Sequence, residues 1–279
     1  MLNSIDHLIV VVKDLEKSTE EFTKLFGFGP AWRGQHKKLG TINSLFQFEN
    51  LYLELLAKKG SGLGADLVTN TLKAKGEGLS GVAFGTDNIK KFQLSLISKG
   101  YESVNIVKSE GSDVDNEERR HWRSLFLPQE LSRGLFSFVI QHESQPLKSP
   151  NLKKDNIHRL DHVVINSNDP EGFIKIYKDL FGIRLSLDQF VEKWGGRMLF
   201  FRINKTTLEV IGKESIKDKP LDTLWGLAWS VENLELTSKR LIKNGIEVSE
   251  IKTGRKKDTL VCTIRSHTAQ IPTLLIQHL

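Results

Sequence analysis

Apolar and polar positions alternate in short blocks through the first sixty residues. Leu15–Phe26 carries apolar residues at helical spacing, with glutamate and lysine on the opposite face, and Gly27 suits the end of a helix. Apolar runs of five or six residues lie on both sides of this segment, which predicts strands. The predicted strands are His7–Val12, Ser44–Phe48 and Tyr52–Leu56.

The same order of elements starts again further along the chain. Gly81–Gly85 predicts a strand and the segment near Asn88–Ser98 predicts a helix. Two more strands are predicted near Val104 and at Phe136–Gln141. This half of the chain therefore consists of two similar units, each a strand and a helix followed by further strands.

The whole arrangement is repeated in the second half of the chain. Asp6-His7 returns as Asp161-His162, and Leu53-Glu54 returns as Leu208-Glu209, each 155 positions later. Beyond these blocks the spacing shortens, because the second copy has lost loop residues. Matched blocks in one order indicate a duplicated domain.

The linker between the copies is the polar segment Ser144–Asn156, which holds two prolines and lacks periodicity. The predicted domains are therefore residues 1–146 and 156–279. The linker and the spacing together predict two similar halves with two units each.

Composition limits the function classes. The net charge of +6 is spread over short lysine pairs without a recognition motif, so we expect no nucleic-acid partner. No apolar stretch approaches a membrane span, and the first residues lack a secretory signal. The single cysteine, Cys262, fits a reducing cytoplasm. We expect a cytoplasmic monomer or homodimer that binds a small molecule and has no membrane partner.

One segment of the first copy resembles a known family. His36–Phe46 reads HKKLGTINSLF and Tyr52–Ala57 reads YLELLA. They resemble the H-x-x-x-G-T-x-N-x-L and Y-L-E-L-L-A pattern of glyoxalase-like domains in the vicinal-oxygen-chelate superfamily. The resemblance implies an α+β fold of tandem βαβββ modules, as in glyoxalases, bleomycin-resistance proteins and extradiol dioxygenases. Their sheets are curled and mainly antiparallel, with the helices outside.

The resemblance also implies metal ligands on the first, fourth and eighth strands. Those positions are His7, Glu54 and Gln141 in the first copy and His162, Glu209 and Gln277 in the second. A shift of one residue would replace the two glutamines by His142 and His278, and the fifth-strand position falls on Gly81 and Gly226, which cannot bind. Mixed nitrogen and oxygen ligands suit a divalent metal such as Zn²⁺, Ni²⁺, Mn²⁺ or Fe²⁺.

Glu54 and Glu209 are the candidate catalytic residues. Each carboxylate lies within an apolar strand, where an unpaired buried charge is costly. One interpretation is a salt-bridged residue on an open sheet face. The other is a metal ligand or a base for a proton beside a carbonyl. His7 and His162 likewise fit either a half-buried structural histidine or a ligand.

Four further residues of the first copy are candidates for substrate binding: Arg33, His36, Asn43 and Tyr52. Their polar groups can orient oxygen atoms by directional hydrogen bonds. The second copy has Val191 and Met198 in place of His36 and Asn43. We therefore predict that the two clefts are not equivalent and that the first one carries the substrate chemistry.

Two functions agree with these observations. The first is a metal-assisted enzyme, of isomerase, lyase or dioxygenase type, acting on a small oxygenated metabolite. The second is a metal-free protein of the same fold that binds or sequesters a small molecule. The His and Glu pairs favour the first function, and the glycines at the fifth-strand position favour the second.

Overall fold

The computed structural model describes residues 1–102, 104–116, 118–213 and 219–279. Within these ranges the first half contains eight strands and four helices. The strands are β1 (Ser4–Val11), β2 (Trp32–His36), β3 (Thr41–Gln47), β4 (Tyr52–Lys58), β5 (Gly78–Gly85), β6 (Ile106–Asp113), β7 (Arg119–Phe126) and β8 (Phe136–His142). The helices are α1 (Leu15–Phe26), α2 (Leu63–Lys75), α3 (Ile89–Ile97) and α4 (Gln129–Ser132).

The eight strands of the first half form a closed barrel in the order β1-β4-β3-β2-β6-β7-β8-β5. Strand β1 runs parallel to β4, and β5 runs parallel to β8; the other pairs are antiparallel. A short antiparallel contact between β2 and β6 closes the barrel, where Gly34 pairs with Asp113 and Gln35 with Ser112. Closure gives this half an interior that strands surround on all sides.

The second half repeats the strand sequence with fewer helices. Its strands are β9 (Ile157–Ser167), β10 (Arg184–Val191), β11 (Gly196–Ile203), β12 (Thr206–Gly212), β13 (Asp222–Val231), β14 (Lys252–Thr253), β15 (Thr259–Ile264) and β16 (Thr273–His278). Its helices are α5 (Pro170–Ile174), which continues as a π-helical turn over Lys175–Leu180, and α6 (Leu234–Lys243). A short 3₁₀ turn, Glu192–Trp194, precedes β11.

The second sheet has the order β10-β11-β12-β9-β13-β16-β15-β14, which matches the first sheet strand for strand. This sheet is open, because β14 has only two residues and pairs with β15 alone. The shared order confirms the predicted α+β fold of tandem, curled, mainly antiparallel modules. The first sheet ends at His142 and the second begins at Ile157, and a division into 1–146 and 156–279 stays a prediction.

Helix α1 shows why the sequence pattern was informative. The Asp14 side chain accepts a hydrogen bond from the Lys17 N–H at 3.0 Å and begins the helix. Gly27 ends the helix in a left-handed conformation with φ of 88°, which glycine adopts without steric cost. Phe22 and Phe26 lie on the buried face, as the spacing predicted.

The two halves share one hydrophobic core. Trp229 of β13 packs against Phe26 and Phe48, with ring centroids 5.3 and 4.5 Å apart. At another point of the interface, the Arg133 guanidinium donates a hydrogen bond to the Asp222 carboxylate at 2.7 Å, and both groups are buried. The halves are therefore packed together rather than joined only by the linker. Among the described residues, none of the helices has the length and apolar character that a membrane span requires.

Candidate functional site

The interior of the first barrel holds a cavity of about 580 Å³. Alternate residues of every strand of this barrel except β5 line it, so the strand register decides which side chains border the space. Most of its wall is apolar and includes Trp32, Trp122, Phe136 and Phe138. The polar side chains that line it are therefore few, and each has a defined position.

His7 and Glu54 meet inside this cavity. They come from the parallel neighbours β1 and β4, where Glu54 pairs with Ile9, two residues beyond His7 on the same face. The His7 Nε2 atom lies 3.6 Å from the Glu54 Oε2 atom, and both side chains are less than 10% exposed. The structure thus brings together the two residues that the sequence singled out first.

Asp6 and His142 extend this pair. The His7 Nδ1 atom lies 2.7 Å from the Asp6 Oδ1 atom, and the His142 Nε2 atom lies 3.1 Å from the Asp6 Oδ2 atom. Burial alone would raise the pKa of the Asp6 carboxyl, but the hydrogen bonds from both histidines hold this pKa well below its usual range. Asp6 is therefore an anion that accepts, and each histidine donates to it. We call His142, Asp6, His7 and Glu54 the first polar series.

Asn43 holds Glu54 from the other side. Its Nδ2 atom donates to the Glu54 Oε1 atom at 2.7 Å, and its Oδ1 atom is buried without a hydrogen-bond partner in the described structure. Gly34 on the neighbouring strand leaves the room that this amide needs, because a Cβ there would lie 2.9 Å from Asn43 Oδ1. The amide therefore fixes one carboxylate oxygen and offers an unused acceptor.

His36 lies next to Asn43. Its Nδ1 atom is 2.9 Å from the Thr41 hydroxyl, and its Nε2 atom is 3.5 Å from Asn43 Nδ2. Burial lowers the pKa of His36; the charge on Glu54 opposes this shift and His7 adds to it. A lowered pKa favours the neutral imidazole, which can both donate and accept a hydrogen bond.

Tyr52 forms the floor beneath His7. Its ring stacks on the His7 ring with centroids 4.5 Å apart. Burial raises the pKa of the Tyr52 hydroxyl well above its usual value, and the charges of Asp6 and Glu54 add to this shift. The hydroxyl therefore stays protonated and is a hydrogen-bond donor. His36, Asn43 and Tyr52, three of the four predicted substrate-binding residues, line the cavity.

Arg33 is not among the residues that line the cavity, and its role in substrate binding stays a prediction. It stands between Trp32 and Gly34 on β2, so it points to the outer face and pairs with Glu16 of α1. Arg120 of β7 lines the cavity instead and lies 5.7 Å above the Trp32 ring. The pattern did not predict β2 as a strand, and the alternation that turns Arg33 outward depends on that strand.

Gln141 and Gln277 point away from the histidine and glutamate pairs, and their role as ligands stays a prediction. The Gln141 Oε1 atom accepts from the Ile89 N–H at 3.0 Å, and the Gln277 Oε1 atom accepts from the Leu234 N–H at 2.7 Å. Each glutamine therefore satisfies the first turn of a helix outside its sheet. The next residue on each strand faces inward. This residue is His142 beside Asp6 in the first half and His278 beside Asp161 in the second. The aspartates that orient them were not singled out, although both adjoin a predicted ligand.

The second half contains the same series. The His162 Nε2 atom lies 3.1 Å from the Glu209 Oε2 atom, and Asp161 lies within 2.9 Å of His162 and 2.7 Å of His278. We call these four residues the second polar series. Its members are more exposed than those of the first, because this sheet does not close. Burial still raises the pKa of Glu209, although the charge of His162 opposes the shift.

The donor set does not fit a metal centre with three or four protein ligands. Within the described ranges, no group of three or more His, Cys, Asp or Glu side chains is arranged to hold a metal ion. His7 Nε2 and Glu54 Oε2 are two donors. On the other side of His7, its strand partner is Ala83, and the strand partner of Ala83 is Phe138. Both residues are apolar and cannot act as ligands. Catalytic metal sites generally use at least three protein ligands.

Comparison with known proteins gives the family and the fold. Residues 5–181 match the family model described as Glyoxalase-like domain, and residues 159–266 match that of the Glyoxalase/Bleomycin resistance protein/Dioxygenase superfamily. No curated protein sequence matches the chain.

Solved structures agree over nearly the full length. A mutant 4-hydroxymandelate synthase from Streptomyces coelicolor superposes with a TM-score of 0.67 at 13% identity, covering 99% of this chain and 92% of that one. A Mn(II)-bound glyoxalase from Novosphingobium aromaticivorans gives 0.64 at 14% identity, covering 100% and 83%. A hypothetical protein from Staphylococcus aureus gives 0.65 at 14% identity, covering 99% and 98%. At these identities the likeness concerns the fold alone.

Proposed function

Because the chain belongs to the glyoxalase-like domain family, we propose that it is an enzyme that moves a proton on a small, largely apolar molecule bearing an oxygen group. The observation that supports this proposal is the first polar series, which ends at a buried carboxylate inside the barrel cavity. Proton abstraction needs a base, a group that orients this base, and a site that excludes water.

Glu54 is the proposed base. Asn43 holds its Oε1 atom, which leaves Oε2 free on the side of His7. A C–H group beside a carbonyl would give its proton to Oε2 while the electron pair moves to the carbonyl oxygen. Return of that proton to the same carbon would restore the carbonyl. In a hydroxyketone, transfer of the hydroxyl proton to the former carbonyl oxygen and return of the abstracted proton to the former carbonyl carbon would release an isomer. The Tyr52 hydroxyl, kept protonated by its raised pKa, would turn from Asp6 to donate to the developing oxyanion.

His7 would exchange protons with Glu54. Its Nδ1–H is bound by the Asp6 anion, so Nε2 faces Glu54 as the atom that gains or loses a proton. Asp6 stabilises the imidazolium that forms when Nε2 is protonated. His142 occupies the second oxygen of Asp6 and keeps the carboxylate in this orientation.

Hydrogen exchange tests this proposal without knowledge of the product. A panel of methyl ketones and hydroxyketones is incubated with the protein in D₂O, and exchange of the C–H groups beside the carbonyl is followed by NMR. The wild-type protein should accelerate exchange of at least one ketone that it binds. Glu54→Gln should lower that rate about 10²- to 10⁴-fold, whereas the matched variant Glu209→Gln should leave it unchanged. A bound ketone without accelerated exchange would refute the enzymatic proposal.

The metal-assisted form of this function stays a prediction. One structural neighbour is described as Mn(II)-bound, which makes a divalent metal a reasonable hypothesis for the family. In this chain the donors would be His7 and Glu54, two in number, and the steps above use neither as a ligand. Elemental analysis of protein purified without a histidine tag or chelator should find less than one metal ion per chain.

A binding or sequestering protein is the second candidate, and the apolar wall of the cavity favours it. Trp32, Phe136 and Phe138 can hold an apolar molecule without any chemistry. The two candidates differ in what Glu54→Gln does. A sequestering protein would retain its ligand affinity in that variant, and neither form would accelerate hydrogen exchange.

A further inference from the structure

The mouth of the cavity carries large apolar side chains that are open to solvent. Leu39, Leu63, Val107 and Phe126 all line the cavity, and their side chains are between 38% and 81% exposed. They come from four separate elements: the β2–β3 turn, the start of α2, strand β6 and the end of β7. Exposed apolar groups gathered around the opening of a pocket mark a surface that a ligand or partner covers.

This apolar mouth and the first polar series lie at opposite ends of the barrel. Tyr52 pairs with His7 at the start of β1 and β4, and Leu56 pairs with Val11 where both strands end. Helix α2, with Leu63 at its first residue, follows that end of β4. The cavity therefore changes from polar at its inner end to apolar at its mouth.

The inner end selects an uncharged group. Asp6 and Glu54 place two carboxyl groups there, and Asp6 is an anion. The Arg120 cation also lines the cavity, but it donates to the Gln145 carbonyl at 2.9 Å and lies over the Trp32 ring. A ligand carboxylate or phosphate at this depth would be buried beside like charges, which is strongly unfavourable. The orphaned Asn43 Oδ1 atom and the Tyr52 hydroxyl instead provide an acceptor and a donor for a neutral oxygen group.

We propose that the substrate has an uncharged oxygen-bearing head and an apolar tail that extends through the mouth. This inference rests on the proposed function and specifies its substrate class. The head lies at the first polar series, and the tail covers Leu39, Leu63, Val107 and Phe126. The tail is the occupant that the mouth fits, because the mouth is continuous with the apolar wall of the cavity.

A homologous series of straight-chain 2-ketones, from 2-hexanone to 2-dodecanone, tests the proposal by titration calorimetry. The affinity should rise about fourfold for each methylene that becomes buried and should level off once the tail passes the mouth. Decanoate should bind at least about tenfold more weakly than 2-decanone because of its charged head. Affinity that does not depend on chain length, or tighter binding of decanoate, would overturn the assignment.

A matched pair of leucine variants locates the tail. Leu63→Ser removes an apolar side chain from the mouth, and Leu94→Ser removes a similarly exposed one from α3, outside the cavity lining. Both residues are exposed, so neither change should affect folding. Leu63→Ser should weaken binding of the longest ketone about tenfold and leave 2-hexanone unchanged. Equal effects of the two variants would contradict the proposal.

Two further measurements separate the remaining outcomes. If the chain-length dependence is present but hydrogen exchange is absent, the substrate class holds as a ligand class and the enzymatic proposal fails. Sedimentation velocity tests whether a second copy of the chain covers the mouth instead. A wild-type dimer that Leu63→Ser converts to a monomer would overturn the assignment of the mouth to the ligand, whereas an unchanged oligomeric state supports it.

Discussion

At the scale of single residues, the difference between the two polar series lies in what surrounds them. In both copies an aspartate is hydrogen-bonded to two histidines, and a glutamate lies next to the first of these histidines. Only the first copy adds an amide that binds the glutamate, since Asn43 corresponds to Met198 in the second. Enclosure and this amide make the first series the better candidate for chemistry.

The contribution of Asn43 can be measured directly. Asn43→Ala should lower the hydrogen-exchange rate about tenfold to a hundredfold, because Glu54 loses the hydrogen bond that orients it. Met198→Ala, at the equivalent position of the second copy, should have no effect. If Asn43→Ala leaves binding and turnover unchanged while Glu209→Ala removes them, the wrong cleft has been chosen.

Asp6 also predicts a pH dependence of stability. Its pKa is lowered on folding, so the unfolded state binds more protons in the acid range. The stabilisation is complete above the ordinary value of 3.8 and is lost as the pH falls through lower values. Asp6→Asn should therefore lower the free energy of unfolding by about 2 kcal/mol at pH 7 and by less at pH 3. Urea unfolding at the two pH values measures this, and an equal loss at both would contradict it.

At the scale of elements, the two sheets show how closure changes a duplicated unit. Strands β6 and β7 form a long hairpin that reaches β2 in the first half. Their counterparts in the second half are β14 and β15, and β14 has two residues. The shortened second copy therefore cannot close its sheet, and its polar series is more exposed.

Gln141 provides a test at this scale. It accepts from the first N–H of α3, so Gln141→Ala should lower the free energy of unfolding by about 1 kcal/mol. Ligand affinity and hydrogen exchange should stay unchanged, because the side chain lies outside the cavity. His142→Ala is the matched comparison on the next residue, and it should lower the exchange rate. Loss of ligand binding in Gln141→Ala would restore the glutamine to the site.

At the scale of the whole molecule, a buried ion pair joins the halves. Arg133 of the first half binds Asp222 of the second, and Asp222 is fully buried. Asp169 accepts from the same guanidinium at 2.9 Å. Phe26, Phe48 and Trp229 form an apolar contact across the same division. The two halves should therefore unfold together.

Removing one partner of this pair should be costly. Arg133→Met leaves Asp222 buried without its cation, and we expect the free energy of unfolding to fall by about 3–5 kcal/mol. The double variant with Asp222→Asn should regain part of this loss, which a double-mutant cycle in urea would measure. Two separate unfolding transitions in the wild-type protein would show that the halves are not coupled.

The sequence by itself determined helix α1 with the strands β1, β3 and β4 around it, the duplication, and the pairing of His7 with Glu54. Helix α1 was predictable because its spacing, its aspartate cap and Gly27 are local features. The parallel pairing of β1 with β4 follows from the module that the family pattern implies, and it brings His7 and Glu54 to one face. These features depend on short-range chemistry or on a repeat that can be read along the chain.

Only the tertiary structure decided which of two neighbouring strand residues faces the cavity. It also decided which half of the chain encloses a cavity. Strand side chains alternate, so a shift of one residue decides between Gln141 and His142, and the register of β2 turns Arg33 to the outer face. Closure depends on the contact between β2 and β6, which joins residues nearly eighty positions apart. Such pairing has no local signal, because it is set by the summed twist and length of all eight strands.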